Sequence, residues 1–307
     1  MKKIANFLSF VEIKTKLASI LPFLAGVGYT LYRYGKLDIY RIAVFFCAMV
    51  FFDLTATAIN NHVGTREQKK ENHYPDHISF LIIFGMLISA SVLGIYLVSI
   101  TNFVVLLTGM FCFGVGILYS FGPLPIARTP FGEVVSGAVQ GTCIPFLVYI
   151  IHDPGLLSVN LELPRVTVSA DLGGIFGFGI FVFPMICCIA NIMLANNICD
   201  LEEDVKVKRY TLPYYLGREV CLKLFGRIYI AAFVFIGIGI VTGILPSMVI
   251  IAFAVVGPVM KNIQAFRQKQ VKTETFEVSI KNFMLILVPY VVGIWLSQIL
   301  HILFGMR

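Results

Sequence analysis

Long apolar segments separated by short polar ones dominate this sequence of 307 residues. A helix needs about 20 apolar residues to cross the hydrocarbon core of a bilayer, and nine segments come near that length. They lie near residues 15–33, 41–62, 78–99, 102–120, 131–151, 172–197, 222–243, 246–262 and 281–304. No polar linker divides them. The pattern therefore predicts an all-α fold, a polytopic membrane bundle of about nine transmembrane helices in a single domain, residues 1–307.

Composition and charge support the same prediction. Hydrophobic residues make up 58% of the chain and charged residues 13%, against roughly 25% charged residues in soluble domains. The net charge of +7 suggests nucleic-acid binding at first. With the N-terminus inside, however, most basic residues fall on alternate, inner loops, which is the positive-inside pattern of a multi-pass cell-membrane protein. We expect no nucleic-acid partner. The longest outer loop, residues 152–171, contains no evident chemistry.

A polar sequence ends the sixth apolar segment, where residues 196–204 read NNICDLEED. At helical spacing, Asn196, Asp200 and Asp204 fall at i, i+4 and i+8 and share one face. Such oxygen ligands suit a hard cation, and Mg²⁺ typically binds through one or two carboxylates together with substrate phosphates. A solvated helix end is the plain alternative. It leaves unexplained why two amides stand inside the apolar boundary, where an unsatisfied polar group costs several kcal/mol.

A second, weaker copy of this motif ends the second apolar segment. Residues 60–68 read NNHVGTREQ, so the two Asn pairs align and Glu67 aligns with Glu203. Gly64 and Gln68 stand where the later copy has carboxylates. Glu67 is the nearest acid that can compensate, although on a regular helix, at roughly 100° per residue, it points about 60° away from Gly64 in the row of Gln68. The pattern predicts a duplicated cation site with one degenerate half.

Asp53 lies in the middle of the second apolar segment, and an ionisable residue inside a span indicates a functional site by default. Thr57, Asn60 and Asn61 follow at i+4, i+7 and i+8, so one helix face joins this acid to the first motif. The alternative is an Asp that hydrogen-bonds a neighbouring helix and only packs. The link to the motif favours a functional role.

Three basic residues, Arg128, Lys208 and Arg209, lie in predicted inner loops beside the carboxylates. Basic groups next to a metal–carboxylate cluster suit a phosphate-rich ligand, and Arg matches phosphate oxygens bidentately. The alternative is membrane topology alone, which is our interpretation of the basic residues at the N-terminus and over residues 261–281. The chain lacks a GxxxxGK[ST] phosphate loop, which argues against nucleotide hydrolysis.

The nine spans, the two inner motifs and the loop YSFGPLPIARTPFGE at residues 119–133 together resemble the UbiA superfamily of intramembrane prenyltransferases. The resemblance extends over nearly the whole chain. Residues 200–217, which include the sequence KRYTLPYYLG, are most similar to the 1,4-dihydroxy-2-naphthoate branch. In that branch a Lys-Arg-Thr-Leu run and a following Leu-Gly are usual, whereas the 4-hydroxybenzoate branch more often shows Lys-Arg-Pro.

The resemblance implies a set of site residues. Mg²⁺ would be bound at the second motif by Asn196, Asp200 and Asp204, and at the first motif by Asn60 and Glu67. Asp200 and Asp204 would then be catalytic together with Asp53, which would orient or deprotonate the hydroxyl of an aromatic acceptor. The remaining residues implied to contact substrate, mainly its diphosphate, are Arg128, Lys208, Arg209, Tyr119, Asn60, Asn61 and Asn197.

The function that the resemblance implies is transfer of a polyprenyl group from polyprenyl diphosphate to 1,4-dihydroxy-2-naphthoate. The ring would lose CO₂ and give a demethylmenaquinone, in a cell-membrane site facing the cytoplasm. Other acceptors stay open: 4-hydroxybenzoate, haem or a glyceryl phosphate lipid. A transporter whose Asp53 and Asn pairs line an ion path also stays open, but inverted repeats would favour it. Here both motifs lie on the predicted inner side after even-numbered spans, so the repeat is parallel.

Overall fold

The computed structural model describes residues 2–67, 74–162, 164–272, 274 and 276–304, without the side chains of residues 2, 3, 14, 66 and 67. Helices dominate it. They are α1 Lys2–Phe10, α2 Leu17–Tyr34, α3 Ile39–Glu67, α4 Asp76–Ser99, α5 Phe103–Ser120, α6 Gly132–Ala138, α7 Ile144–His152, α8 Leu172–Cys199, α9 Leu201–Lys206, α10 Leu212–Leu216, α11 Arg218–Val241, α12 Val256–Gln268 and α13 Glu277–Phe304. Short 3₁₀ segments are Ile13–Lys16, Ile126–Arg128 and Ser247–Val255, and Val139–Cys143 is π-helical.

Eight segments of the described chain are long and apolar enough to cross a membrane. They are Ile39–Thr65, Asp76–Ser99, Phe103–Ser120, Gly132–His152, Leu172–Cys199, Arg218–Val241, Ser247–Gln268 and Glu277–Phe304. The other predicted span, near residues 15–33, coincides with α2. This helix has 18 residues and carries Arg33 in its last turn, and most of its middle is buried inside the protein. The prediction of an all-α, multi-pass membrane bundle is confirmed, and nine was an approximate count.

Local sequence signals set several helix ends. Gly35 follows α2 with φ 71°, a left-handed conformation that suits glycine, and its N–H donates to the carbonyl of Leu31. Asn102 caps α5, because its side-chain oxygen accepts from the N–H of Val105 at 3.1 Å. The same side chain donates to the carbonyl of Ile150 at 3.0 Å. The start of α5 is therefore tied to the end of α7.

The main core lies where α2, α8 and α13 meet. The ring of Tyr29 stacks on Phe181 with their centroids 3.9 Å apart. The hydroxyl of Tyr290 donates to the carbonyl of Phe181 at 2.7 Å, so this buried polar atom is satisfied. A smaller cluster joins the N-terminal segment to α3 and α4 through Phe10, Val11, Ala58 and Met86.

Two glycines let the segment from α6 to α7 approach α8 closely. A Cβ added at Gly137 would lie 2.8 Å from the carbonyl oxygen of Ile186, and one at Gly141 would lie 2.7 Å from the nitrogen of the same residue. No larger residue fits there without a backbone shift. Glu133 precedes Gly137 by about one helical turn. The close approach therefore holds Glu133 against the C-terminal end of α8.

A β-hairpin connects α7 to α8, where the sequence predicted only a loop. Strand β1, Leu157–Glu162, pairs antiparallel with β2, Arg165–Ala170. Leu157 lies opposite Ala170 and Glu162 lies opposite Arg165. Each strand has six residues and alternates apolar with polar side chains, the period expected of strands. Such short alternating segments escape a search for apolar segments of membrane-spanning length.

Candidate functional site

The second motif lies at the junction of α8 and α9, and its backbone keeps the predicted spacing. The N–H of Asp200 donates to the carbonyl of Asn196 at 3.0 Å, and the N–H of Asp204 donates to that of Asp200 at 2.8 Å. Asp200 itself leaves helical geometry, with φ −92° and ψ 3°. Both carboxylates are nonetheless buried, Asp200 with 8% and Asp204 with 5% of its surface exposed.

Each of these carboxylates faces one basic side chain. Asp204 Oδ1 lies 3.8 Å from a terminal nitrogen of Arg209. Asp200 forms an ion pair with Lys272, which comes from the segment before α13. Our interpretation of the basic residues over 261–281 as orientation signals alone was therefore wrong for Lys272. This contact joins two residues that are 72 positions apart in the sequence.

Buried oxygen atoms at this site that have no hydrogen-bond partner among the described residues include Oδ2 of Asp204, Oδ1 of Asn197, Oε2 of Glu133 and the hydroxyl of Tyr119. Burial raises the pKa of the Asp204 carboxyl to about 6, because its loss of contact with water outweighs the opposing effect of Arg209. A buried carboxylate with one free oxygen is costly unless a cation or a hydrogen-bond donor is supplied. The site therefore has unused capacity to bind a cation.

Loop residues 119–133 bring further polar groups to the second motif. Asn197 donates to Oε1 of the buried Glu133 at 2.8 Å. The Nε of Arg209 donates to the carbonyl of Ala127 at 3.0 Å, and the N–H of Tyr210 donates to that of Arg128 at 3.1 Å. The guanidinium of Arg209 is thus fixed between the loop and Asp204.

The other candidate substrate residues lie around this contact. The hydroxyl of Tyr119 would lie 3.7 Å from a Cβ added at Gly132, so the two ends of the loop approach each other here. Arg128 is half-buried, and its carbonyl joins the two loops. Lys208 is exposed and has a positive φ of 57°, a conformation that is uncommon outside glycine. The structure therefore places Tyr119 beside Gly132, next to Glu133, and leaves Lys208 at the solvent-facing edge.

The first motif ends α3 and is neutral where the second is charged. Asn61 donates to the carbonyl of Phe10 at 2.9 Å, and the hydroxyl of Ser120 donates to Oδ1 of Asn60 at 3.2 Å. The loop at residues 119–133 thus touches one Asn of each motif. Glu67 is the last residue of α3 and its side chain lies outside the described part of the chain, as does all of Gln68.

Asp53 pairs with Lys16, a residue that we had interpreted as an orientation signal. The Nζ of Lys16 lies 3.1 Å from Oδ1 of Asp53 and 3.1 Å from the carbonyl of the same residue, and it also contacts the hydroxyl of Thr57. The side chains of Lys16 and Asp53 are only 7% and 16% exposed. That interpretation was therefore wrong for Lys16, which neutralises the acid inside the span.

The donor set at the second motif fits Mg²⁺. Within the described ranges, no three His, Cys, Asp or Glu side chains are close enough together to hold a metal ion. Mg²⁺, however, usually needs only one or two carboxylates, with water and substrate phosphates as the other ligands. Asp200 and Asp204 are two such carboxylates at one motif, and Oδ2 of Asp204 has no partner among the described residues.

Sequence reasoning missed Lys16 and Lys272, which form ion pairs with Asp53 and Asp200. A buried acid in a span needs a partner, so Asp53 gave a signal that some basic residue must approach it. Its identity depends on a contact between residues 37 positions apart. For Lys272, nothing in the sequence except its positive charge indicates that it pairs with Asp200.

Comparisons with known proteins agree with this architecture. Residues 19–287 match the family model described as the UbiA prenyltransferase family. The chain is 28% identical over 181 residues to a 1,4-dihydroxy-2-naphthoate octaprenyltransferase of Bacillus subtilis (strain 168). That match covers 59% of this chain and 52% of the relative, so the chain spans about half the length of the curated relative it matches.

Solved structures share the fold at low identity. A UbiA homologue from Archaeoglobus fulgidus, solved bound to GPP and Mg²⁺, has a TM-score of 0.67 at 12% identity, with 95% of this chain and 99% of that chain covered. An apo UbiA homologue from Aeropyrum pernix K1 has a TM-score of 0.67 at 18% identity, with the same coverage. Because the family model matches most of the sequence, the chain belongs to the UbiA prenyltransferase family.

Proposed function

We propose that this protein transfers a polyprenyl group from polyprenyl diphosphate to 1,4-dihydroxy-2-naphthoate, with loss of CO₂, to give a demethylmenaquinone for menaquinone biosynthesis. Family membership supports the prenyl transfer. The curated relative supports the acceptor, since it is named for that substrate. The observation that carries the proposal is the buried pair Asp200 and Asp204, flanked by Lys272 and Arg209.

The pair and its basic neighbours suit a metal-bound diphosphate. Asn196, Asp200 and Asp204 would hold Mg²⁺ at the second motif, and Asn60 with Glu67 would be the weaker set at the first. When bound, Mg²⁺ supplies electrostatic stabilisation of the negative charge that develops on the leaving diphosphate. Without bound substrate, Lys272 and Arg209 neutralise the carboxylates. With substrate bound, the ammonium of Lys272 and the terminal nitrogens of Arg209 would bind phosphate oxygens, while Nε of Arg209 stays on the carbonyl of Ala127.

Basic side chains that bind the diphosphate would stabilise the same negative charge on the leaving group. Arg209 presents a fixed guanidinium, held by its bond to the carbonyl of Ala127. A preorganised cation aimed at developing negative charge is among the largest contributions to enzymatic rate. Arg128, Lys208 and Tyr119 are the other proposed contacts, with Asn60, Asn61 and Asn197 lining the same region. Tyr119 and Arg128 belong to the loop at residues 119–133, and Asn60 and Asn197 contact it.

The reaction needs protection from water. As the allylic C–O bond breaks, the prenyl carbon gains cationic character, and water would trap it before the acceptor carbon could attack. A site at the end of a membrane bundle excludes water by burial. Asp53 is proposed to orient or deprotonate the acceptor hydroxyl from within α3. If Asp53→Asn keeps full turnover at saturating acceptor, this role is wrong.

The site would face the cytoplasm. The basic residues of the sequence concentrate on the loops at the motif end of the spans, and the positive-inside rule places that end inside. Prenyl diphosphates and naphthoate acids are charged and water-soluble at their head groups, so they would reach the site from that side. The apolar chain would remain in the lipid.

Product analysis tests the proposal directly. Purified protein is incubated with Mg²⁺, a mixture of prenyl diphosphates and one acceptor, and products are identified by mass. We expect the decarboxylated naphthoate product. Prenylated 4-hydroxybenzoate, haem or glyceryl phosphate lipid would instead assign another branch of the family. Thermal stabilisation by Mg²⁺ with a diphosphate analogue, lost in Asp200→Ala, would separate the enzyme from a transporter.

A further inference from the structure

The hairpin between α7 and α8 is amphipathic without exception. Every cross-strand pair joins either two apolar or two polar side chains. The apolar pairs are Leu157 with Ala170, Val159 with Val168, and Leu161 with Val166. The polar pairs are Ser158 with Ser169, Asn160 with Thr167, and Glu162 with Arg165. Because side chains alternate between the two faces of a sheet, one face of this hairpin is wholly apolar and the other wholly polar.

The apolar face has protein beneath it only at its base. Leu157 and Val159 are half-buried and pack against the main core. Towards the tip, Leu161, Val166 and Val168 are 52%, 61% and 63% exposed. No described part of the chain covers them. A two-stranded hairpin is marginally stable in water on its own, so an apolar face of this size calls for a covering surface.

The position of the hairpin identifies that surface. Strand β1 packs against α5, a candidate membrane span whose Leu107 and Met110 are exposed as expected of side chains facing lipid. Tyr40 and Tyr96 lie at the same end of the bundle, both exposed, with their hydroxyls 2.6 Å apart. Exposed tyrosines of this kind mark the membrane–water interface. The hairpin therefore lies beside a lipid-facing span, at the end of the bundle that these tyrosines mark as a membrane–water interface.

We propose that the hairpin lies on the lipid surface, with Leu161, Val166 and Val168 inserted at the boundary between headgroups and acyl chains. Its polar face points to water. The hairpin and the Asp200–Asp204 site lie at opposite ends of α8, whose 28 residues span about 42 Å. The hairpin therefore meets the membrane surface opposite to the site. The partner is thus a lipid bilayer, bound by the apolar face in the manner of an interfacial amphipathic segment.

Neighbouring residues of β2 provide matched probes for the test. Val168→Trp places an indole on the apolar face and Thr167→Trp places one on the polar face. Both positions are exposed. The wild-type protein, with Trp295 as its one tryptophan, supplies the background. Each variant is reconstituted in lipid nanodiscs with and without phosphatidylcholine brominated near the headgroup, and quenching by bromolipid and by aqueous iodide is measured.

We expect bromolipid to quench the indole at position 168 several-fold more than the indole at position 167, and iodide to give the reverse order. Equal quenching at the two positions would overturn the proposal. Protection from iodide at position 168 without bromolipid quenching would also overturn it, because a protein surface would then cover the face. If the Val168 variant does not fold, Val166→Trp against Ser169→Trp gives the same comparison.

Discussion

The two Asn–Asn motifs occupy matching places in the chain but use their polar groups in opposite ways. At the second motif, Asp200 and Asp204 are buried, each faces one basic side chain, and one oxygen of Asp204 has no partner in the described structure. At the first motif, Asn60 and Asn61 are tied to Ser120 and to the carbonyl of Phe10. Among the described side chains, the carboxylates of the second motif keep an oxygen without a partner, whereas both amides of the first motif are hydrogen-bonded.

This difference shows that the Asn pair alone does not make a cation site. The pairs are identical in sequence, and each has an Asn in contact with the loop at residues 119–133. What differs is the residue one and two turns later, where the second motif has carboxylates and the first has Gly64 and Gln68. The acid of α3 whose side chain is described is Asp53, two turns before Asn60, and Lys16 neutralises it.

The largest effect is expected at the open carboxylate. Asp204→Asn should reduce turnover by about 10²–10³-fold, the cost of losing one preorganised electrostatic group at a reacting centre. Product formation from a prenyl diphosphate in proteoliposomes measures it. Asp204→Asn should fold at least as well as the wild type, because the amide avoids the burial of charge that raises the carboxyl pKa to about 6.

The control for this substitution is Glu203→Gln. Glu203 neighbours Asp204 but is exposed, and its loss should leave turnover nearly unchanged. Equal loss in both variants would mean that the general negative charge of α9 matters rather than the buried carboxylate. The second motif would then not be the specific cation site that the comparison requires.

The next largest effect concerns the stability of the first half. Lys16→Met leaves the Asp53 carboxylate buried without its partner, which should destabilise the protein by about 3–5 kcal/mol. Thermal or denaturant unfolding in detergent measures this loss. Adding Asp53→Asn should recover much of it, since the uncompensated charge is then gone.

A second ion pair gives the matched control. Arg41 and Asp38 lie 3.2 Å apart, but their side chains are 41% and 42% exposed. Arg41→Met should cost less than about 1 kcal/mol. If Lys16→Met is as mild as Arg41→Met, the ion pair at Asp53 does not stabilise α3.

Arg209→Lys tests whether the second half binds phosphate through a fixed guanidinium. Lysine keeps the charge but loses the bond from Nε to the carbonyl of Ala127 and the planar fork that suits phosphate. The KM for prenyl diphosphate should rise about tenfold, near the low end for a hydrogen bond to a charged group. Arg218→Lys, at an exposed pair with Glu202, should leave KM unchanged. A similar KM in both variants would remove Arg209 from the proposed site.

The apolar pattern predicted the bundle because the length needed to cross a bilayer is fixed and easily read from sequence. It also predicted the spacing of Asn196, Asp200 and Asp204, which depends only on local helical geometry. Lys16 and Lys272 could not be assigned in this way, since each partner is set by packing between distant parts of the chain. The hairpin was missed because six-residue strands carry a weak signal beside apolar segments of more than 20 residues.

Gly64→Asp sharpens the comparison by restoring an acid to the first half. Gly64 aligns with Asp200, and a Cβ added there would meet no described atom within 4 Å, so the side chain has room. Cation affinity grows with the number of charged ligands. The Mg²⁺ concentration that gives half-maximal turnover should fall by a few-fold, on the order of the 0.2–1 kcal/mol of an exposed charge pair. Gly64→Asn, uncharged and of the same shape, should not lower it.

The smallest effects are expected at Glu67→Gln and Gln68→Ala, each within about threefold of wild-type turnover, the range of an exposed charge interaction. On a regular helix Glu67 lies about 60° away from Gly64, the position that aligns with Asp200, and Gln68 brings no charge. Asn60 already accepts from Ser120. Initial rates at saturating Mg²⁺ and at limiting Mg²⁺ measure both variants. Loss at Glu67→Gln as large as at Asp204→Asn would contradict the unequal pair, because it would show that the first motif holds a cation as fully as the second.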